Sequence, residues 1–172
     1  SRIDIGDLQR FFPPPSFEEC WSSSPIPINT VELVIGNYKC NEYDITELNL
    51  TKYRNLKSVT IGSNSFSYVS ELKIVGMEKL ESIGEEAFSA TALTSFTVSQ
   101  ACSSIPSKAF YDCRCLKDVV ILSMNTTIEE DAFSKSEARL SDAELTIHCF
   151  SNSLAESFAR SQKWKVNIFN QY

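Results

Sequence analysis

Apolar and polar positions along this chain fall into two interleaved series. The first is a pair of apolar residues two apart: Leu33/Ile35, Leu48/Leu50, Leu72/Ile74, Phe96/Val98, Val119/Ile121, Leu145/Ile147 and Val166/Ile168. That spacing predicts a short strand with both members on one face and the intervening residue on the other. After a first step of 15 residues, the pairs recur at steps of 24, 24, 23, 26 and 21. The second series couples an isoleucine to an aromatic corner, as Ile61/Phe66, Ile83/Phe88, Ile105/Phe110 and Ile128/Phe133, at steps of 22, 22 and 23. From Phe96 to Phe133 the two run together, and the corner is nearly fixed as Ala-Phe (Ala109-Phe110, Ala132-Phe133). Two series with one period predict a repeat solenoid, because so short a unit buries its apolar side only by stacking on its neighbours.

Each full repeat is expected to carry two short strands on different sides of the coil, giving five to six turns. In the first, Leu48, Leu50, Val59 and Ile61 should point inward, and Asn49, Ser58 and Thr60 outward. Leu33 to Glu47 reads as a shortened first turn. Glu85-Glu86 and Glu129-Glu130-Asp131 fall where solvated turns belong and lack the alternating Asp/Asn/Gly pattern of a calcium loop. Residues 1–30 do not follow the period. Phe11-Phe12-Pro13-Pro14-Pro15 and Pro25-Ile26-Pro27 favour extended backbone without ladder donors, so this stretch is expected to be a non-repeat proline-rich arm or cap, with Phe11, Phe12, Phe17 and Trp21 over the open end. Residues 31–172 are expected to form the solenoid domain.

Composition narrows the function. Sixteen basic against 22 acidic residues give a net charge of -6 with no basic stripe, which argues against nucleic acid as a partner. No apolar run reaches the roughly 18 residues of a membrane span. The chain opens at Ser1 and reads as a piece of something longer.

The repeat resembles the BspA-like (Treponema-type) leucine-rich repeats, whose unit is roughly Leu-x-x-Val-x-Ile, a polar turn, Ser-Ile-Gly-x-x-Ala-Phe and x-x-Cys-x-x-Leu. Ser82-Ile83-Gly84-Glu85-Glu86-Ala87-Phe88 fits throughout, as does Ala109-Phe110-Tyr111-Asp112-Cys113-Arg114-Cys115-Leu116 leading into Val119-Val120-Ile121. Thr91 and Ser136 stand where the unit has Cys, and an insertion falls around Ser134 to Ala143. Ser153 to Ala159 resembles the helical end-piece that closes such arrays. The resemblance covers Leu48 to Ile168. It implies a leucine-rich-repeat-like, right-handed coil of mainly short β-strands with a short C-terminal helix, and cell-surface or secreted adhesion.

Little in the chain carries chemistry. The only histidine, His148, follows Ile147 and should face outward, where nothing nearby completes a hydrolase site. Cys113, Cys115, His148 and Cys149 lack an established zinc spacing. No glycine-rich phosphate loop occurs. The expectation is a non-enzymatic chain without cofactor or metal. Cys113 fills an inward position as a small apolar group. If disulfides form, Cys20–Cys40 and a pairing of Cys102 with Cys113 or Cys115 are the pairs to look for. Two glycosylation sequons occur, at Asn49 and Asn125; Asn49 reads as mid-strand, leaving Asn125 the better acceptor.

Binding should then use outward strand positions. The column expected on the first strand face is Val34, Asn49, Lys73, Thr97, Val120, Thr146 and Asn167, with Val75, Asp118, Leu122, Glu144 and His148 beside it. Val120 and Leu122, rimmed by Asp118, Glu144 and His148, have the character of a protein-binding patch. The candidate protein-binding residues are therefore Lys73, Val75, Thr97, Asp118, Val120, Leu122, Glu144, Thr146 and His148. The expected role is a protein-binding adhesion or recognition module outside the cell; the alternative is a structural subunit of an intracellular assembly.

Overall fold

The structure, a computed structural model, describes residues 2–5, 27–35, 47–61, 73–134 and 145–169. They form a β-solenoid of about four turns, mostly strand, with one short helix near the C-terminus. The strands are β1 (Arg2–Ile5), β2 (Glu32–Ile35), β3 (Glu47–Asn49), β4 (Ser58–Ile61), β5 (Lys73–Val75), β6 (Ser82–Ile83), β7 (Ser95–Val98), β8 (Ser104–Ile105), β9 (Asp118–Ile121), β10 (Thr127–Ile128), β11 (Thr146–Phe150) and β12 (Lys165–Phe169). Helix α1 (Leu154–Ser161) lies between the last two. All pairings among the described residues are parallel. On the first side of the coil β1, β2, β4 and β6 pair in that order, and β8 pairs with β10. On the second side β3 pairs with β5, and β7, β9, β11 and β12 pair in that order.

Alternation supplies the core. Phe96 and Val98 on β7, Val119 and Ile121 on β9, and Ile147 and Cys149 on β11 are buried, while the residues between them face out. Leu33, Val59 and Ile83 line up the same way on the first side. The Ala-Phe corners join the two sides. Phe88 N–H donates to Ala109 O and Phe110 N–H to Ala132 O, each at 2.8 Å, so one corner hangs on the next. Ala87, Ala109 and Ala132 are fully buried, leaving no room for a larger side chain. The rings stack at 5.3 Å (Phe88–Phe110) and 5.0 Å (Phe110–Phe133), and Trp164 closes the column edge-on at 5.5 Å.

The corners at Phe88 and Phe110 carry a backbone cost. Glu86 and Lys108, just before the alanine, and Ala90 and Asp112, two after the phenylalanine, have left-handed φ values of 54, 52, 54 and 52°. A non-glycine residue there costs about 1–2 kcal/mol. Inter-turn bonds offset it: Glu86 N–H to Ser107 O, Ala90 N–H to Tyr111 O and Asp112 N–H to Ser134 O, at 3.2, 2.7 and 2.9 Å. Gly76 is a stricter case, since its φ is +88° and an added Cβ would sit 2.4 Å from Thr51 N.

Polar groups inside the coil are paired. Thr91, which replaces the repeat's cysteine, donates to Phe88 O at 2.9 Å, the carbonyl that Cys113 Sγ also approaches at 3.0 Å. Ser99 Oγ donates to Leu80 O, and Thr126 Oγ1 to Cys102 O at 2.8 Å. Helix α1 starts at Ser153, whose hydroxyl accepts from Glu156 N–H at 3.1 Å. Glu156 in turn accepts from Asn152 N–H and pairs with Arg160, which holds its carboxyl below the usual carboxylate range.

Three expectations about register need correcting. Leu33/Ile35 opposes Val59/Ile61 and therefore belongs to the first side, not to the series of Leu48/Leu50, and Val34 leaves the proposed column. Ile74, not Leu72, opposes Leu48, so Val75 lies level with Asn49, and Lys73 with Glu47. On β11 it is Ile147 rather than Leu145 that opposes Val119; Leu145 is itself buried, as expected, and the shifted register brings Thr146 opposite Asp118 and His148 opposite Val120. The last two share a physical reason: a slip of two residues keeps every inward side chain inward, so alternation alone does not detect it; in the first, both sides of the coil carry the same apolar pair, so the pattern does not tell one side from the other. Of the expected arm, Arg2–Ile5 pairs with β2 and extends the first side; Phe11, Phe12, Phe17 and Trp21 lie outside the described residues.

Candidate functional site

The outer face of β7, β9, β11 and β12 gathers most of the candidate residues. The strands set three rows across it. Ser95, Asp118, Thr146 and Lys165 make the first, and Thr97, Val120, His148 and Asn167 the second. Beyond them lie Leu122, whose N–H continues the ladder to Val98 O at 3.1 Å, and the opposed pair Phe150 and Phe169. Val120 and Leu122 are half-buried and outward, as expected. Val75 and Lys73 lie on the neighbouring β5, and Glu144 is outside the described residues.

The polar part of this face is tied together across three strands. His148 Nε2 lies 2.8 Å from Asp118 Oδ1, and its Nδ1 lies 3.0 Å from Asn167 Nδ2. With the amide nitrogen turned to Nδ1, that ring nitrogen accepts and Nε2–H donates to the carboxylate. Both ring nitrogens are thus engaged, one by each neighbouring strand.

The apolar part is larger than Val120 and Leu122. A groove of about 490 Å³ is lined by Glu78, Gln100, Leu122, Met124 and Phe150. Phe169 packs against Phe150 at a ring distance of 5.4 Å. Leu154, 47% exposed, donates its N–H to Met124 O at 3.0 Å and so lies alongside. Sequence reasoning missed Glu78, Gln100, Met124, Phe150, Leu154 and Phe169. Pairing Ile147 with Cys149 as inward residues would have placed Phe150 outward beside Leu122; the others sit in corners, where strand alternation says nothing.

The cysteines are not arranged for chemistry. Cys102, Cys113, Cys115 and Cys149 are free thiols, and all but Cys115 are buried. Cys102 Sγ points at Ser104 O and Cys113 Sγ at Phe88 O, so the expected pairing of Cys102 with Cys113 or Cys115 is absent. Burial pushes the Cys113 thiol up to about 11, and raises Cys102 and Cys149 as well. Cys20 and Cys40 lie outside the described residues. Among the described residues no three His, Cys, Asp or Glu side chains cluster as metal ligands, and no helix is long and apolar enough to cross a membrane. Both sequon asparagines are exposed. Asn125 sits in the turn before β10, and Asn49 ends β3 rather than lying within it, its Oδ1 accepting from Thr51 N–H and Oγ1 at 3.1 and 2.6 Å.

Parallel strands at a near-constant period, hung on stacked corners, define a leucine-rich-repeat solenoid. The chain belongs to the BspA-type leucine-rich repeat region family, six copies of which match residues 33–165. No curated protein and no solved structure matches it.

Proposed function

We propose that this chain is a non-catalytic protein-recognition module, displayed at the cell surface or secreted, that holds a partner protein on the outer face of β7, β9, β11 and β12. The observation that carries the reading is the outward row of Leu122, Phe150 and Phe169 lying next to the Asp118–His148–Asn167 network. An apolar centre beside fixed polar groups is the composition of a docking surface. A catalytic role finds no support in the same residues. A histidine base of the hydrolase type faces a nucleophile, whereas the ring nitrogens of His148 meet Asp118 and Asn167. A nucleophilic cysteine needs a lowered pKa, and the buried thiols are raised. The family's association with adhesion supports the location, and a glycan on the exposed Asn125 fits it.

The free thiols favour a second reading, a subunit of an intracellular assembly, since secreted chains tend to oxidise their cysteines. Intact mass of the native protein separates the two: a glycan supports the first location, six reduced cysteines and no glycan the second. Partner binding is tested by a photo-crosslinking side chain placed at Thr97 or, as control, at Ser82 on the opposite side. Expected is a defined protein adduct from Thr97 alone, lost when Val120 and Leu122 are both changed to Ser in a chain that still folds. Equal adducts from both positions, or none, would defeat the reading.

A further inference from the structure

Resting on that reading, we infer that the groove beside β9 selects an extended peptide segment of the partner in which a basic side chain precedes or follows a bulky apolar one by about three residues. The argument begins with how the groove is built. Glu78, Gln100 and Leu122 are 22 residues apart in succession, and Phe150 follows on the next turn, so successive turns each contribute to the groove along the solenoid axis. The acidic group stands at one end and the aromatic ring at the other. Among the described lining residues only Glu78 is charged, and it is exposed and forms no ion pair with any described residue. Leu122, Met124 and Phe150 form the apolar end, with Leu154 beside Met124. Charge complementarity therefore calls for a cation at the Glu78 end, in keeping with a chain of net charge -6.

The spacing follows from strand geometry. Parallel neighbours lie about 4.8 Å apart, so two turns separate Glu78 from Leu122 by roughly 10 Å, and an extended peptide covers that in about three residues at 3.3 Å each. The volume, about 490 Å³, is of the size that holds a compact ligand or a few side chains, within roughly 300–1,000 Å³. Met124 adds a soft, adaptable wall suited to branched or aromatic side chains alike.

The chain has two methionines, and they make the test direct: Met77 is buried and Met124 lines the groove. The intact protein, labelled with carbon-13 at the methionine methyls, is titrated with acetyl-Arg-Gly-Gly-Leu-amide and its reversed sequence to about 1 mM and beyond, the range of a contact this small. Expected is a saturating shift of the Met124 methyl with Met77 unmoved. Replacing Arg by Glu in the peptide should weaken binding about threefold to tenfold, and replacing Leu by Gly should weaken it about tenfold or more. The substitution Glu78→Lys should reverse the Arg-over-Glu preference while leaving the Leu requirement. A Met124 signal that ignores all the peptides, or that responds equally to Arg and Glu versions, overturns the inference. So does equal binding of a peptide with Arg and Leu adjacent. The broader reading fails separately, through loss of the Thr97 crosslink.

Discussion

The two outer sides of this solenoid wrap one core and look quite different. Outward positions on the first side are almost monotonous from β4 onward: Ser58 and Thr60, Ser82, Ser104, Thr127. On the second side the same kind of position holds Thr97, Val120, His148 and Asn167 in one row and Ser95, Asp118, Thr146 and Lys165 in another. Small hydroxyl side chains suit a pleated surface with nothing else to do. Charged, aromatic and aliphatic groups set side by side suit a surface that discriminates. What the contrast teaches is that packing constrains both sides equally, since both point their alternate residues into the same buried column, and so does not account for the difference. Recognition does.

The harshest way to challenge that comparison is to remove the shared core. Phe110 stacks on both Phe88 and Phe133 and meets Phe96 edge-on, so Phe110→Ala should cost about 3–5 kcal/mol. Both sides should then melt together, with tryptophan fluorescence and far-ultraviolet circular dichroism giving one coincident transition. Separate transitions would mean that the sides fold independently and owe each other nothing.

A milder probe uses pH. The folded Cys113 thiol is raised to about 11 against an unfolded value near 9, so the stability it contributes is intact below about pH 9 and is lost as pH rises toward 11. Urea midpoints taken across that window should fall, and Cys113→Ala should flatten the decline. At pH 8 an alkylating reagent should reach the half-exposed Cys115 and leave Cys113 untouched until the chain unfolds. Rapid labelling of both would place Cys113 outside the core.

The smallest effect is the most specific to the comparison. His148→Ala removes a bridge between three strands and should cost about 0.5–1.5 kcal/mol, whereas Ser82→Ala on the first side should stay within about 0.5 kcal/mol. Chemical denaturation of the two variants reads this directly. Equal costs would remove the structural distinction drawn between the two sides.

Much of the architecture was legible because two independent constraints recur: alternation at Phe96/Val98 and Val119/Ile121, and the Ala-Phe corner that only a small residue followed by a stacked ring satisfies. Val120 and Leu122 were legible for the same reason, as outward residues between inward ones. Register was not. Leu145 and Cys149 both lie two positions from Ile147, and a thiol fills an apolar site as well as a leucine does, so the pattern admits either pairing. The inter-turn hydrogen bonds of the folded chain decide for Cys149, and with it for His148 beside Val120. The groove residues Glu78, Gln100 and Met124 stayed hidden because they follow strands instead of belonging to them, and only stacking the turns brings them into line.

The corner ladder also bears on how such a chain can change over generations. Phe88, Phe110 and Phe133 keep a metre of 22 and then 23 residues, while the inward second-side residues Phe96, Val119 and Ile147 are spaced 23 and then 28 apart. The extra length enters after the corner and before β11, and the ladder still resumes with Ile147 opposite Val119. The added length thus falls after the last of these corners, and the second-side pairing resumes beyond it. A lineage can therefore change the length of chain leading to β11 without displacing the core pairing that follows it.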